Sequence, residues 1–282
     1  MSEVKKNIGI FTFDDAPTTM EYGYYYKASF KVPFDSEERM VRVWLPEDYD
    51  FDNPDVTFPV IYMSDGQNLV NKNLTAFGDW HFDKVCHKLK EEYNVSIIAV
   101  GVDSPRDDVK RSDELNPPFI PNRAKKMHPV GDVFVDFLAD TLKPIIDETF
   151  HTKKEKEYTA VGGSSMGGIM AFYGGVRRYD VFGFSLDFSP AFLLYYKKRW
   201  EELLNSFKIS KDNKTRFYFY VGGKGFERYF RKLTFFTYEY LLKLGFSEKE
   251  VMIANDKKMI HHEDAWSIYL GDAIKFWLEE RY

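Results

Sequence analysis

The chain reads as an α/β fold, with a mainly parallel sheet covered by helices on both faces and antiparallel strands at its N-terminal edge. Three observations predict it. Short apolar runs alternate with longer stretches of helical period, the βαβα order of a parallel sheet. Those runs have no wet face, as strands buried on both sides do not. Two leading segments do alternate, as strands with one solvated face should.

The alternating pair comes first: Tyr22 to Val32, then Met40 to Leu45, where Val41 and Val43 flank Arg42. Between them, Asp35-Ser36-Glu37-Glu38 reads as a turn. Phe58–Met63, Ser96–Val102, Tyr158–Val161 and Phe217–Val221 are the near-continuous apolar strands, and Phe182–Leu186 and Val251–Ala254 are two more. Helical patterns cover His81–Tyr93, Val130–Phe150, Met166–Tyr179, Tyr195–Phe207, Arg228–Leu244 and Glu263–Tyr282. Pro144 should kink or split the second of these. The stretch Asp103 to Pro129 holds Pro105, Pro117, Pro118, Pro121 and Pro129, and is expected to be a long loop serving as a lid or pocket wall. With no repeat and no linker-like run, one domain spanning 1–282 is the simplest organisation.

Composition narrows the function. Hydrophobic residues make up 44% and charged residues 29%, which suits a packed core rather than disorder. The net charge of −5 offers no basic face for nucleic acid. The single cysteine, Cys86, excludes an internal disulfide and points to the cytoplasm. The N-terminus lacks the apolar run and small-residue cleavage site of a signal peptide. No window approaches about 18 consecutive apolar residues, so no membrane span is expected. Aromatic residues reach 18% and have two readings, a bulky core or a pocket rimmed by rings that hold a sugar or phenyl group.

Gly163-Ser164-Ser165-Met166-Gly167 forms G-x-S-x-G between a buried strand and a helix. That context is the nucleophile turn of serine hydrolases. The serine must sit on a sharp bend so that its hydroxyl clears the sheet, and small residues two before and two after let strand and helix close up. The glycine spacing selects Ser165 over Ser164. No P-loop lysine follows and no G-x-G-x-x-G is present, which disfavours a phosphate cradle.

In this strand–turn–helix arrangement the base and acid follow the serine in chain order Ser, acid, His. Only His261 and His262 lie after Ser165, in the loop before the last helix. A metal reading of His261-His262-Glu263-Asp264 is disfavoured because adjacent residues point apart, so neither metal nor cofactor is expected. The acid should follow the penultimate strand, where Glu227 stands in Gly222–Glu227. Its competing reading is a first-turn helix carboxylate favoured by the dipole. Asp256 and a Ser–His dyad are the alternatives. The strand ending at Met63 runs into Ser64-Asp65-Gly66-Gln67-Asn68, so the oxyanion would be held by the backbone N–H groups of Gln67 and Met166.

These motifs together resemble the esterase family of α/β hydrolases that includes enterochelin esterases, feruloyl esterases and S-formylglutathione hydrolase. The resemblance runs from about Met40 to the C-terminus. It rests on Tyr62–Asn68, Trp80, Val100–Val102, Arg111–Glu114, Gly163–Gly168, Phe188–Phe192 and His261-His-Glu-Asp-Ala-Trp266. In that family the catalytic His stands five residues before a Trp, which implies His261 rather than His262. Feruloyl esterases carry Asp on the acid loop, and this chain has Glu227 there instead. The resemblance implies an α/β-hydrolase fold and hydrolysis of a small-molecule ester with a bulky or polar acid or alcohol part. Transfer of the acyl group to an alcohol or sugar, as in mycolyltransferase-like relatives, is the alternative on the same site. A non-catalytic carbohydrate- or peptide-binding scaffold is the alternative from another class. Homo-oligomerisation is left open.

Overall fold

The computed structural model describes residues 7–15, 19–75, 78–119, 121 and 127–279. Its strands are β1 (Thr12–Phe13), β2 (Tyr24–Phe30), β3 (Arg39–Leu45), β4 (Val60–Ser64), β5 (Ile98–Val102), β6 (Thr159–Ser164), β7 (Phe184–Phe188), β8 (Arg216–Gly222) and β9 (Val251–Asp256). They form one sheet in the order β1-β2-β3-β5-β4-β6-β7-β8-β9. The ladder is antiparallel from β1 to β5 and parallel from β5 to β9. The predicted architecture is therefore observed, with the short β1 added outside the expected edge pair.

The helices are α1 (Phe82–Tyr93), α2 (Asp108–Glu114), α3 (Gly131–Asp136), α4 (Lys143–Thr149), α5 (Met166–Arg177), α6 (Lys197–Ser206), α7 (Arg231–Lys243) and α8 (Glu263–Leu278). Both sheet faces are covered, and successive strand residues go to opposite sides. Val60, Tyr62, Val100 and Val161 join the layer that includes α3 to α5, whereas Ile61, Met63, Ala99 and Ala160 join the layer under α1 and α8. On β8, Phe217, Phe219 and Val221 pack toward α5, α6 and α7. Phe172 of α5 sits at 5.5 Å from Phe192, edge-on, and 5.5 Å from Phe217, tilted, so the helix after Ser165 rests on an aromatic cluster. Each such fully buried side chain contributes about 1.5–3 kcal/mol, which makes this helix a rigid support.

Several boundaries differ from the sequence expectation, each for a physical reason. β7 runs on through Asp187 to Phe188, because a carboxyl in mid-strand interrupts the apolar run that marks a buried strand. β6 continues through Gly162-Gly163 to Ser164, since glycines carry no strand signal. Pro144 does not break its helix: the helix continues through it, with a π-helical stretch at Phe137–Leu142 directly before α4. The stretch expected to be loop from Asp103 to Pro129 contains α2, whose N-terminus Asp107 caps by accepting from the N–H groups of Val109 and Lys110 at 2.8 and 2.9 Å. Part of that stretch (120 and 122–126), like the last three residues of the predicted C-terminal helix, lies outside the described residues. Among the described residues no helix is long and apolar enough to cross a membrane.

Candidate active site

Ser165 occupies the tip of the bend between β6 and α5, with φ 57° and ψ −115°. A non-glycine residue there carries strain of about 1–3 kcal/mol, and persists only where neighbours overdetermine it. Here they do. The Ser165 N–H donates to the Phe188 carbonyl at 2.9 Å, and its carbonyl accepts from Ala191 at 2.9 Å and Ile169 at 3.2 Å. The flanking glycines are required by space. A Cβ on Gly163 or on Gly167 would drive into the Ser64 hydroxyl at the end of β4, and at Gly163 also into the Gly167 backbone.

Ser165 and His261 line one cleft of about 570 Å³, together with Gln67, Asn68, Ser104, Arg106, Arg111, Ser164, Glu263 and Trp266. The described part of the Asp103–Pro129 stretch forms one wall. Asp65, at φ 54°, is gripped by Arg111 of α2 in a two-pronged ion pair of 2.6 and 2.8 Å. Burial opposes its ionisation, but the guanidinium and the Ser104 hydroxyl outweigh burial and hold the carboxyl below its usual range. Arg42 and Asp103 make a second such pair at 2.6 and 2.7 Å. Gln67 stands in a 3₁₀ turn (Gly66–Asn68), its side chain accepting from the Ser104 N–H at 3.0 Å. Met166 opens α5.

The loops after β8 and β9 bring two distant residues together. Glu227 lies in the 3₁₀ turn Gly225–Tyr229 and is 0% exposed, so it is no solvated first-turn carboxylate. Its Oε2 meets His261 Nδ1 at 2.5 Å, and its Oε1 accepts from the Gly222 N–H at 2.8 Å and from the Ser189 hydroxyl. The imidazole stacks on Phe230, centroids 4.4 Å apart, and meets Trp266 edge-on at 5.0 Å. His262 faces elsewhere, its Nδ1 accepting from the Asp264 N–H at 3.2 Å to cap α8. Asp256 is engaged away from the imidazole, by the Tyr269 hydroxyl and the Lys258 N–H, both at 2.9 Å. Ser189, between β7 and Glu227, received no role from the sequence, although it sits within the motif Phe188–Phe192. Glu263 likewise went unassigned. Its burial, with the charges of Asp65 and Asp264 adding, raises its carboxyl to about 7. Asn68 donates to its Oε1 at 3.3 Å.

The aromatic residues are chiefly core: Trp44, Trp80, Trp200 and Trp277 are all fully buried, and among the described residues Trp266 is the aromatic residue that lines the cleft. A mainly parallel sheet covered on both faces, with a strained serine between strand and helix, defines an α/β hydrolase. More narrowly, the chain belongs to the family described as "Putative esterase", which matches residues 36–239. By that membership it is a carboxylic ester hydrolase. It is 20% identical over 249 residues to the uncharacterized protein YbbA of Bacillus subtilis (strain 168), covering 85% of this chain and 92% of that one. Among solved structures it resembles the siderophore hydrolase EstB of Aspergillus nidulans, with TM-score 0.68 and 20% identity over 95% of this chain and 99% of that one. It also resembles the enterobactin esterase FES of Shigella flexneri, with TM-score 0.71 and 17% identity over 95% of this chain and 62% of that chain.

Proposed function

We propose that the protein hydrolyses its ester through an acyl-enzyme on Ser165, with His261 as base and Glu227 as the acid that orients it. The observation that carries this reading is the buried Glu227 carboxylate at 2.5 Å from His261 Nδ1, beside the cleft that Ser165 and His261 both line. A carboxylate accepts hydrogen bonds, so Nδ1 bears the hydrogen and Nε2 presents its lone pair. Nε2 would take the Ser165 proton as the hydroxyl oxygen attacks the ester carbonyl, and return it to the leaving alcohol. Water activated by the same nitrogen would then release the acid. The N–H groups of Met166 and Gln67 would hold the oxyanion in both steps, and losing one such donor typically costs about 10²–10³ in turnover.

The cleft wall supports a polar ester rather than a long aliphatic chain. Three arginines (Arg42, Arg106, Arg111), three aspartates (Asp65, Asp103, Asp108) and the amides of Gln67 and Asn68 would leave an alkyl tail against groups that must stay hydrated or paired. A small ester, or one linked to a sugar or aryl group, fits that lining. The test is hydrolysis of p-nitrophenyl acetate by the wild type and by Ser165→Ala. Activity lost with the fold intact by circular dichroism supports the nucleophile, and full activity in the variant refutes it. Product analysis with added glucose separates hydrolysis from acyl transfer.

A further inference from the structure

Ser189 is the first residue after β7, is fully buried, and holds a φ of 43°. Its N–H donates to the Tyr220 carbonyl of β8 at 2.7 Å. Its hydroxyl contacts two polar groups, the Trp266 indole N–H at 3.0 Å and Glu227 Oε1. The direction of these bonds follows from chemistry. An indole N–H can only donate and a carboxylate can only accept. The hydroxyl therefore accepts from Trp266 and donates its own hydrogen to Glu227.

Glu227 Oε1 thus holds two donors, the Ser189 hydroxyl and the Gly222 N–H, and Oε2 is left to His261 Nδ1. The terminal torsion of a glutamate is broad and roughly two-fold, so one donor alone defines it poorly. Two donors, one just after β7 and one at the end of β8, define the plane of the carboxylate. The Trp266 ring then returns to the imidazole edge-on, with an interplanar angle of 88°. The path Trp266–Ser189–Glu227–His261 ties the start of α8 to the loops after β7 and β8.

We infer that Ser189, oriented by the Trp266 indole, is a positioning residue that sets the rotation of the Glu227 carboxylate and hence the aim of the His261 imidazole. This rests on the reading of His261 as the base. It acts through Glu227 and needs no contact with substrate.

The experiment compares wild type, Ser189→Gly and Ser189→Ala as full chains, with p-nitrophenyl acetate as probe substrate across pH 5–9 (roughly the range in which an imidazole titrates). Alanine keeps the Cβ that serine already carries at this positive φ and glycine adopts it without strain, so agreement between the two variants separates loss of the hydroxyl from a backbone effect. Both variants should lose about tenfold in kcat, with KM within about twofold. The acid limb of kcat/KM should move to higher pH, because a carboxylate relieved of one donor holds the imidazolium more strongly. Both variants matching wild type in kcat and in the acid limb would overturn the inference. So would a lower kcat with an unmoved limb, which is what a packing role produces. A fluorophosphonate probe on the wild type keeps the underlying reading separate. An unlabelled Ser165 there removes the base assignment and the inference with it, whereas a labelled wild type leaves the Ser189 variants to decide the inference alone.

Discussion

Replacing Ser165 by glycine should make the protein more stable while removing its nucleophile. The reasoning starts from φ 57° and ψ −115° at a residue whose amide and carbonyl are bonded on both sides, to Phe188, Ala191 and Ile169. Those bonds keep the backbone in place whatever side chain it carries, so the Cβ bears the strain. Removing it should relieve about 1–3 kcal/mol. Glycine also has more freedom to lose on folding, which costs about 0.5–1 kcal/mol. The balance is a gain of roughly 0.5–2 kcal/mol. For a chain of this size that is a rise of roughly 1–3 °C in Tm. Ser165→Ala is the control, since it removes the same hydroxyl and keeps the Cβ. Scanning calorimetry of wild type and both variants gives the answer directly. If the glycine variant melts no higher than the alanine variant, the bend stores no strain at this position and the argument for a tertiary clamp on Ser165 fails.

Two further outcomes follow from the same geometry. Glu227→Gln keeps the shape of the acid but can turn an amide N–H toward His261 Nδ1, favouring the wrong tautomer. Its kcat for p-nitrophenyl acetate should fall about 10²–10⁴-fold, and a loss below tenfold would remove Glu227 from the mechanism. Glu263 titrates near 7 in the folded chain, above its ordinary value of 4.5. Between those values the folded state binds more protons than the unfolded one, so stability should fall as pH rises from about 4.5 to about 7. Glu263→Gln removes that fall and should gain about 2 kcal/mol over wild type at pH 8 relative to pH 4.5, after allowance for solvent screening. Urea melts at the two pH values measure it, and an unchanged difference between the proteins would show that burial of Glu263 is not felt.

The parts of this protein legible in its sequence are those where neighbours along the chain decide the conformation. Apolar runs and helical periods gave the strand and helix order, because a strand buried on both faces must be apolar throughout. Gly163 and Gly167 marked the bend at Ser165 within five residues. Interruptions hid the rest. Asp187 cut short the reading of β7, and α2 was concealed among prolines and charges although Asp107 caps it. What only the tertiary structure decided was which distant groups meet. Glu227 and His261 are 34 residues apart, and Ser189 and Trp266 are 77 apart. Parallel crossovers bring the loops after β7, β8 and β9 to one end of the sheet, and nothing local to any of those residues records that meeting. The same holds for charge. Glu263 is one of many carboxylates in the sequence, and only the burial of its side chain beside Asp65 sets it apart, since desolvation belongs to a place in the fold and not to a residue type.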